Sequence, residues 1–521
     1  MKRFWTASVW ILVMVSMLGL GACSSDDGNR ESSHPNSESA NNSSQGSSNS
    51  GTTTGSDPFG GWVEGLPKIE APEGFDWKQF AGTVLNVITE NTPPSSGLAG
   101  IIDEFEQATG IKVNIEQVNL DIVVEKAGLD FNARNDNYHI IYADPYQILA
   151  KQSKHFVDLH TLNNDPSLPS IPGGLEDFIQ AQLVADGYMG DTEHLYALPY
   201  DNPTMVLAYR KDVFEKYKDL FMKEKGYDWT PGPDMTWEQY YEIAAWINDK
   251  VKEGVITEVK YGTGHQAKQH DSLMNDFSNV LASYGGKYFE AENIGDIGTE
   301  NPGKSLLDSP EAIEAAEFYN KLLKEAAPGS TTWDWNGLAE AFAAGEIAMA
   351  PEWHEFSGMF ENPEQSAVVG KVGWTILPKG PKGRANMYGG TGIGINKYIS
   401  EDEQKAAWLF LIWATAPQTQ YKILDAGFTP TRYSVYELPE LQKAMSDPNS
   451  EEARRLPLAS SLMAAQEAWK EGNVYFRPKI PMWPQIDTIV YTELSKMLAG
   501  RQSPADTMKA IAQQSDKLTG N

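Results

Sequence analysis

Short β-branched runs and helical stripes alternate along most of this chain. Thr83 to Thr89 reads TVLNVIT, the composition of a strand buried on both faces. Leu98, Ile101, Ile102 and Phe105 then fall on one side of a helix that Gly110 ends. Ile111, Val113 and Ile115 alternate with polar residues, the period of a second strand. Strand, helix and strand in such quick succession form a βαβ unit and predict a parallel sheet. HIIYA (139–143) predicts a further strand running into Asp144-Pro145-Tyr146. Helix starts are marked downstream. Thr236 with Gln239 and Ser400 with Glu403 make capping boxes, and Ser309-Pro310 and Ser503-Pro504 place a cap before a first-turn proline. No internal repeat is visible. An α/β body of roughly 440–460 residues is too large for one core, so two lobes are expected.

The N-terminus has a different pattern. Lys2 and Arg3 precede an almost wholly apolar stretch from Phe4 to Leu20, short for a membrane span of about 20 residues. Leu20-Gly21-Ala22-Cys23 resembles a bacterial lipobox. Residues 1–22 are therefore expected to be a lipoprotein signal peptide, and Cys23 the lipidated (palmitate-bearing) mature terminus. The alternative is a free cysteine beside an ordinary signal cleavage site. From Ser24 to Asp57 the only apolar side chains are those of Ala40 and Pro35, so 23–65 is read as a disordered Ser/Asn/Gly-rich tether. This places the body on the outer face of the cytoplasmic membrane, touching it only through the lipid. A Gram-positive surface is expected, with a Gram-negative periplasmic anchor as the alternative.

Composition then removes several classes. With 42 Lys+Arg against 71 Asp+Glu, the net charge of −29 repels phosphate backbones and excludes nucleic acid as a partner. A single cysteine excludes a disulfide framework or a Cys-based metal cluster. His265 and His270 with Asp271 lack zinc-site spacing, and no phosphate loop or nucleophile elbow occurs. No cofactor and no metal are expected.

Several segments together resemble a family, the extracellular solute-binding proteins of carbohydrate ABC importers, of the maltose-binding-protein-like group. They are EFEQATGIKV (104–113), LYALPYDNPTMVLAYRKDVF (195–214), MTWEQYYEIAAWI (235–247), FAAGEIAMAPEW (342–353), VGWTILPKGP (372–381) with GGTGIGI (389–395), and DAGFTPTRYSVY (425–436). The resemblance implies a two-lobe periplasmic-binding-protein-like (type II) α/β fold with three crossings and a ligand cleft between lobes. Residues 66–200 plus 385–428 would form the first lobe, and 201–384 plus 429–521 the second. It implies a monomer that captures a sugar, expected to be an oligosaccharide, and hands it by hinge closure to the transmembrane subunits of an ABC permease. It implies no catalysis.

A sugar needs aromatic faces for its C–H surfaces and carboxylates or amides for its hydroxyls. In open parallel sheets, ligands gather beyond the carboxyl ends of strands. That selects Glu90 and Asn91 after the first strand, and Asp144 and Tyr146 after HIIYA. Tyr200, Asp201 and Asn202 lie at the first crossing. On the other lobe the candidates are His265, Trp333, Trp335 and Trp353, with Tyr388 and Gly389 ahead of the Gly-rich strand. Arg432 at the third crossing and Trp483 and Asp487 near the last helices complete the set. For each, a cap, core or hinge role is the alternative. A secreted carbohydrate-active hydrolase is the enzymatic rival. A same-fold receptor for iron or a polyamine is the other, the latter marked by an acid-dominated cleft.

Overall fold

The computed structural model describes residues 58–60, 62–291 and 294–521. The expected signal segment, Cys23 and most of the tether lie outside the described residues. Within the span read as tether, Phe59 packs against Trp77 and Phe105 in the first core.

The first sheet begins with β1 (Val84–Glu90), β2 (Lys112–Val118), β3 (Ile140–Ala143) and β4 (Leu198–Asp201). β1 pairs in parallel with β2 and β3, as strand-helix-strand wiring demands. The intervening helix, Pro93–Thr109, stops where Gly110 turns left-handed at φ 73°. A second sheet holds β5 (Met205–Arg210), β6 (Tyr261–Thr263), β7 (Ile347–Trp353) and β8 (Val372–Thr375), in the order β6-β7-β5-β8. β9 (Asn386–Met387) then leads through Tyr388-Gly389-Gly390 into β10 (Thr391–Ile395), which returns to the first sheet between β3 and β4. The glycines of β10 have a packing cause. A Cβ on Gly394 would sit 2.5 Å from the Tyr196 carbonyl oxygen, and one on Gly392 2.7 Å from the Ala197 methyl. β11 (Val474–Tyr475) pairs with β9.

Each sheet has its own core. Helices Pro93–Thr109, Leu120–Ala133 and Glu401–Ala414 cover the first sheet with Leu98, Phe105, Phe131, Trp408 and Trp413. Helices Trp237–Lys252, Asp271–Ser283, Pro310–Leu322 and Trp483–Leu498 cover the second with Tyr240, Phe277, Tyr319 and Trp483. Both capping boxes form, and Ser309 and Ser503 cap the helices that follow them. The chain passes between the two bodies at three places. The first is Asn202 to Thr204, between β4 and β5, and the second is Tyr388 to Gly390. At the third, after Phe428, the chain leaves the first core for helices whose Ala464 and Ala468 pack on Val206 of β5.

The candidate ligand cleft

Strand ends from both sheets converge on a cavity of about 270 Å³. From the first sheet, β1 delivers Glu90, Asn91 and Thr92, β2 delivers Asn119 to Asp121, and β3 delivers Tyr142 and Asp144. From the second, β7 ends at Trp353 and runs into Glu355 and Phe356. Helix Asp271–Ser283 presents its first turns as Asp271 and Asn275, and helix Trp335–Ala343 starts there with Asp334 as its cap. Lys268, His270, Gly389 and Arg477 complete the wall.

Three aromatic side chains give the cavity flat apolar surface. Trp335 is half-buried, with the His270 ring edge-on at 4.7 Å between centroids. Phe356 is also half-buried. Trp353 is only 6% exposed and belongs at once to the cleft and to the second core. Its indole Nε1 donates to Gln266 Oε1 at 3.3 Å. Gly389 lies against this ring, and a Cβ there would come within 2.7 Å of it.

The polar groups are mostly carboxylates. Burial pushes Glu90 up to about 8, and the charges of Asp201, Asp144 and Asp271 push in the same direction. Glu355 is raised well above the carboxylate range by desolvation, then by Asp201, Glu90 and Glu352. Asp201, behind the wall, is raised to about 6 by burial although the Tyr142 hydroxyl donates to it at 3.2 Å. Asp144 does two jobs. Its Oδ1 accepts the amides of Tyr146 and Gln147 at 2.9 and 2.6 Å, capping the turn Pro145–Leu149. Its Oδ2 lies 3.7 Å from Arg477, whose other end is 3.6 Å from Asp271 Oδ2. Burial raises the Asp144 carboxyl and the Arg477 charge opposes that. One buried guanidinium thus bridges carboxylates held by the two bodies.

Of the residues singled out from sequence, the cavity brings together Glu90, Asn91, Asp144, Trp335, Trp353 and Gly389. Tyr146 and Asp487 lie just behind it. Tyr146 is under the Arg477 guanidinium, 4.2 Å from the ring centroid, and Asp487 accepts Gln147 Nε2 at 3.0 Å. Tyr200 donates to Ser95, and Asn202 donates to Gln182 and to the Pro430 carbonyl, so they fasten the crossings. Tyr388 donates to Asp186 at 2.8 Å. His265 pairs with Asp276 in the interior at 2.8 Å, and it is His270 that reaches the cleft. Trp333 packs against the small core around Phe342. Trp483 is fully buried against Tyr288. Arg432 is also away from the cavity, stacked 3.6 Å over Phe178 and donating to the Thr415 and Gly174 carbonyls. Asp177 lies 3.7 Å from the same guanidinium, so the side chain ties loop and helix-end segments of the first body together. Sequence reasoning missed Arg477, Lys268, Asn275, Tyr142 and Glu355. For Arg477 a signal existed, a cation between aromatic and proline residues in a strongly acidic chain, but nothing in it pointed to Asp144 over 300 positions away.

Two α/β bodies joined by three short passages, with a half-open polar and aromatic cleft between strand ends, define a two-lobe solute-binding protein. A model of the bacterial extracellular solute-binding proteins matches residues 89–421, and the chain belongs to that family. It is 22% identical over 429 residues to a probable amino-acid ABC transporter periplasmic-binding protein of Sinorhizobium fredii, covering 82% of this chain and 87% of the relative. Among solved structures, a ribitol complex of an ABC transporter solute-binding protein from Agrobacterium radiobacter K84 superposes with a TM-score of 0.66 at 25% identity. It covers 84% of this chain and 99% of its own. The maltose-bound MalE3 protein of T. maritima gives 0.67 at 25% identity, over 84% and 100% of the two chains.

Proposed function

We propose that the protein is the membrane-anchored receptor of an ABC importer, binding a sugar or polyol in this cleft and passing it unchanged to the permease. The observation that carries this reading is the pairing of flat aromatic walls with carboxyl and amide side chains around one cleft, the set of groups that a polyhydroxylated ring requires. The volume is near the lower end of small-molecule sites, about 300 Å³. It suits a monosaccharide or short oligosaccharide better than a long chain. Neighbours that hold ribitol and maltose support the same class. Lipidation at Cys23 with the polar spacer up to Asp57, ahead of the core residue Phe59, would keep the body tethered at the outer membrane face. Hinge closure of a first lobe near 66–200 plus 385–428 on a second near 201–384 plus 429–521 would enclose the ligand. The test is a thermal-shift screen of the soluble body across monosaccharides, polyols and oligosaccharides. A ligand that binds only the folded form raises its melting temperature in proportion to the logarithm of dose. Turnover of a labelled oligosaccharide, or no shift by any of them at millimolar dose, overturns the reading.

A further inference from the structure

The charge balance inside the cleft narrows the ligand beyond a neutral sugar. Six carboxylate side chains line the cavity against two cations, Lys268 and Arg477. Both cations are already engaged. Lys268 is held by Asp334 at 2.8 Å, and Arg477 is shared between Asp144 and Asp271. Glu90 and Glu355 stand apart from these pairs. Burial raises both, and the charged groups that add to it are other carboxylates, Asp201, Asp144 and Asp271 on the first and Asp201, Glu90 and Glu352 on the second; the Tyr142 hydroxyl is the one group acting on Glu90 in the opposite sense. A second observation points the same way. Asn275, 2% exposed, turns its Nδ2 toward Asp271 and leaves Oδ1 buried at the cavity wall with no donor. A buried acceptor and two crowded carboxyl groups, which no cation of the cavity neutralises and which keep their protons for that reason, favour a ligand that brings donors and positive charge. An ammonium group offers three donors and no acceptor.

Resting on the sugar-receptor reading, we infer that this cleft takes an amino-substituted sugar, its protonated amine set between Glu90 and Glu355 and its ring against Trp335 and Trp353. The ring's hydroxyls would also use the amide side chains of Asn91, Asn119 and Asn336 in the wall, groups that a linear polyamine leaves without acceptors. The elevated affinity of Glu90 for its proton in the free protein then has a consequence. An incoming cation reverses the repulsion, so binding releases protons near neutral pH.

The experiment is isothermal titration of the protein with glucosamine, galactosamine and mannosamine, each beside its all-hydroxyl and N-acetyl counterparts, with spermidine as a further ligand. Two buffers of different ionisation enthalpy report the protons. Amino forms are expected to bind at least about tenfold tighter than both counterparts, the scale of one charge-assisted hydrogen bond. Proton release should accompany them, and the preference should shrink in Glu90→Gln and in Glu355→Gln, each checked for an intact melting transition. If hydroxyl or N-acetyl sugars bind as tightly as the amines, the amine inference falls and the sugar receptor stands. If spermidine binds more tightly than any sugar, both fall; if nothing in the panel binds at millimolar dose, the amine inference falls and the receptor reading is decided by the wider screen of polyols and oligosaccharides.

Discussion

At the scale of single residues, Trp335 and Trp353 show that lining a cleft and supporting a core are separable properties. Trp335 is half-buried at a helix start, so Trp335→Ala should weaken sugar binding by about 1 kcal/mol or more through loss of a stacking face, with little change in melting temperature. Trp353 is built into the second core, and Trp353→Ala should cost affinity together with about 3 kcal/mol of stability. Calorimetry of both variants against the same ligand checks the contrast. Gly389→Ala tests it from the other side, since the added methyl would have to push the Trp353 ring toward the ligand. Titration of Glu90 has a definite sign. Its pKa is about 8 in the folded protein against 4.5 ordinarily, so the folded form holds this proton more tightly between those values. The stability it contributes is present below about 4.5 and lost as pH rises through 8. Glu90→Gln, which cannot ionise, should therefore melt increasingly above the parent as pH goes from 5 to 8. A constant difference across that range would show that burial and the neighbouring carboxylates do not raise Glu90. The opposite drifts expected of His354, lowered to about 4, and Lys479, lowered to about 7, both by burial, are common to parent and variant and cancel in the comparison.

At the scale of elements, the periodic signals carried most of the information. Val84–Glu90, Pro93–Thr109 and Ile140–Ala143 form where their patterns put them because each buries enough of its own side chains to be legible locally. The Ser400-Glu403 capping box is equally local, and Ser400→Ala should cost about 1 kcal/mol of stability in a chemical denaturation while leaving ligand affinity alone. The site was legible only in part, and for a physical reason. Glu90, Asn91 and Asp144 sit at strand ends, where topology alone concentrates ligands. Arg477 and Asn275 reach the same cavity from segments with no such rule, one beyond a two-residue strand and the other inside a helix that is buried almost all round. Arg432 and Trp483 misled for the converse reason. A cation at a crossing and an indole at a helix start look like cleft residues until their carbonyl and aromatic neighbours are known.

At the scale of the whole molecule, what matters is how the two bodies are held relative to each other. Few side chains bridge them at the cleft floor: Arg477 between Asp144 and Asp271, and Gln147 to Asp487. Arg477, Asp144 and Asp271 are buried, so their attraction is little screened by salt, and removing the cation leaves both carboxylates without compensation. If the bodies close on a ligand as proposed, Arg477 would hold them together as well as line the wall. Without it, Asp144 and Asp271 face each other across the gap with like charge, and water must enter to solvate them. Arg477→Ala should therefore enlarge the radius of gyration of the free protein in small-angle scattering. It should also weaken binding by at least about thirtyfold, the lower range for breaking a buried charged pair. Arg477→Lys, which keeps the charge but cannot reach both carboxylates in a fork, should recover part of the compaction and less of the affinity. Saturating ligand should contract the parent further. If the variant scatters like the parent and both are unchanged by ligand, the bodies do not move on one another, and binding has to be described without closure.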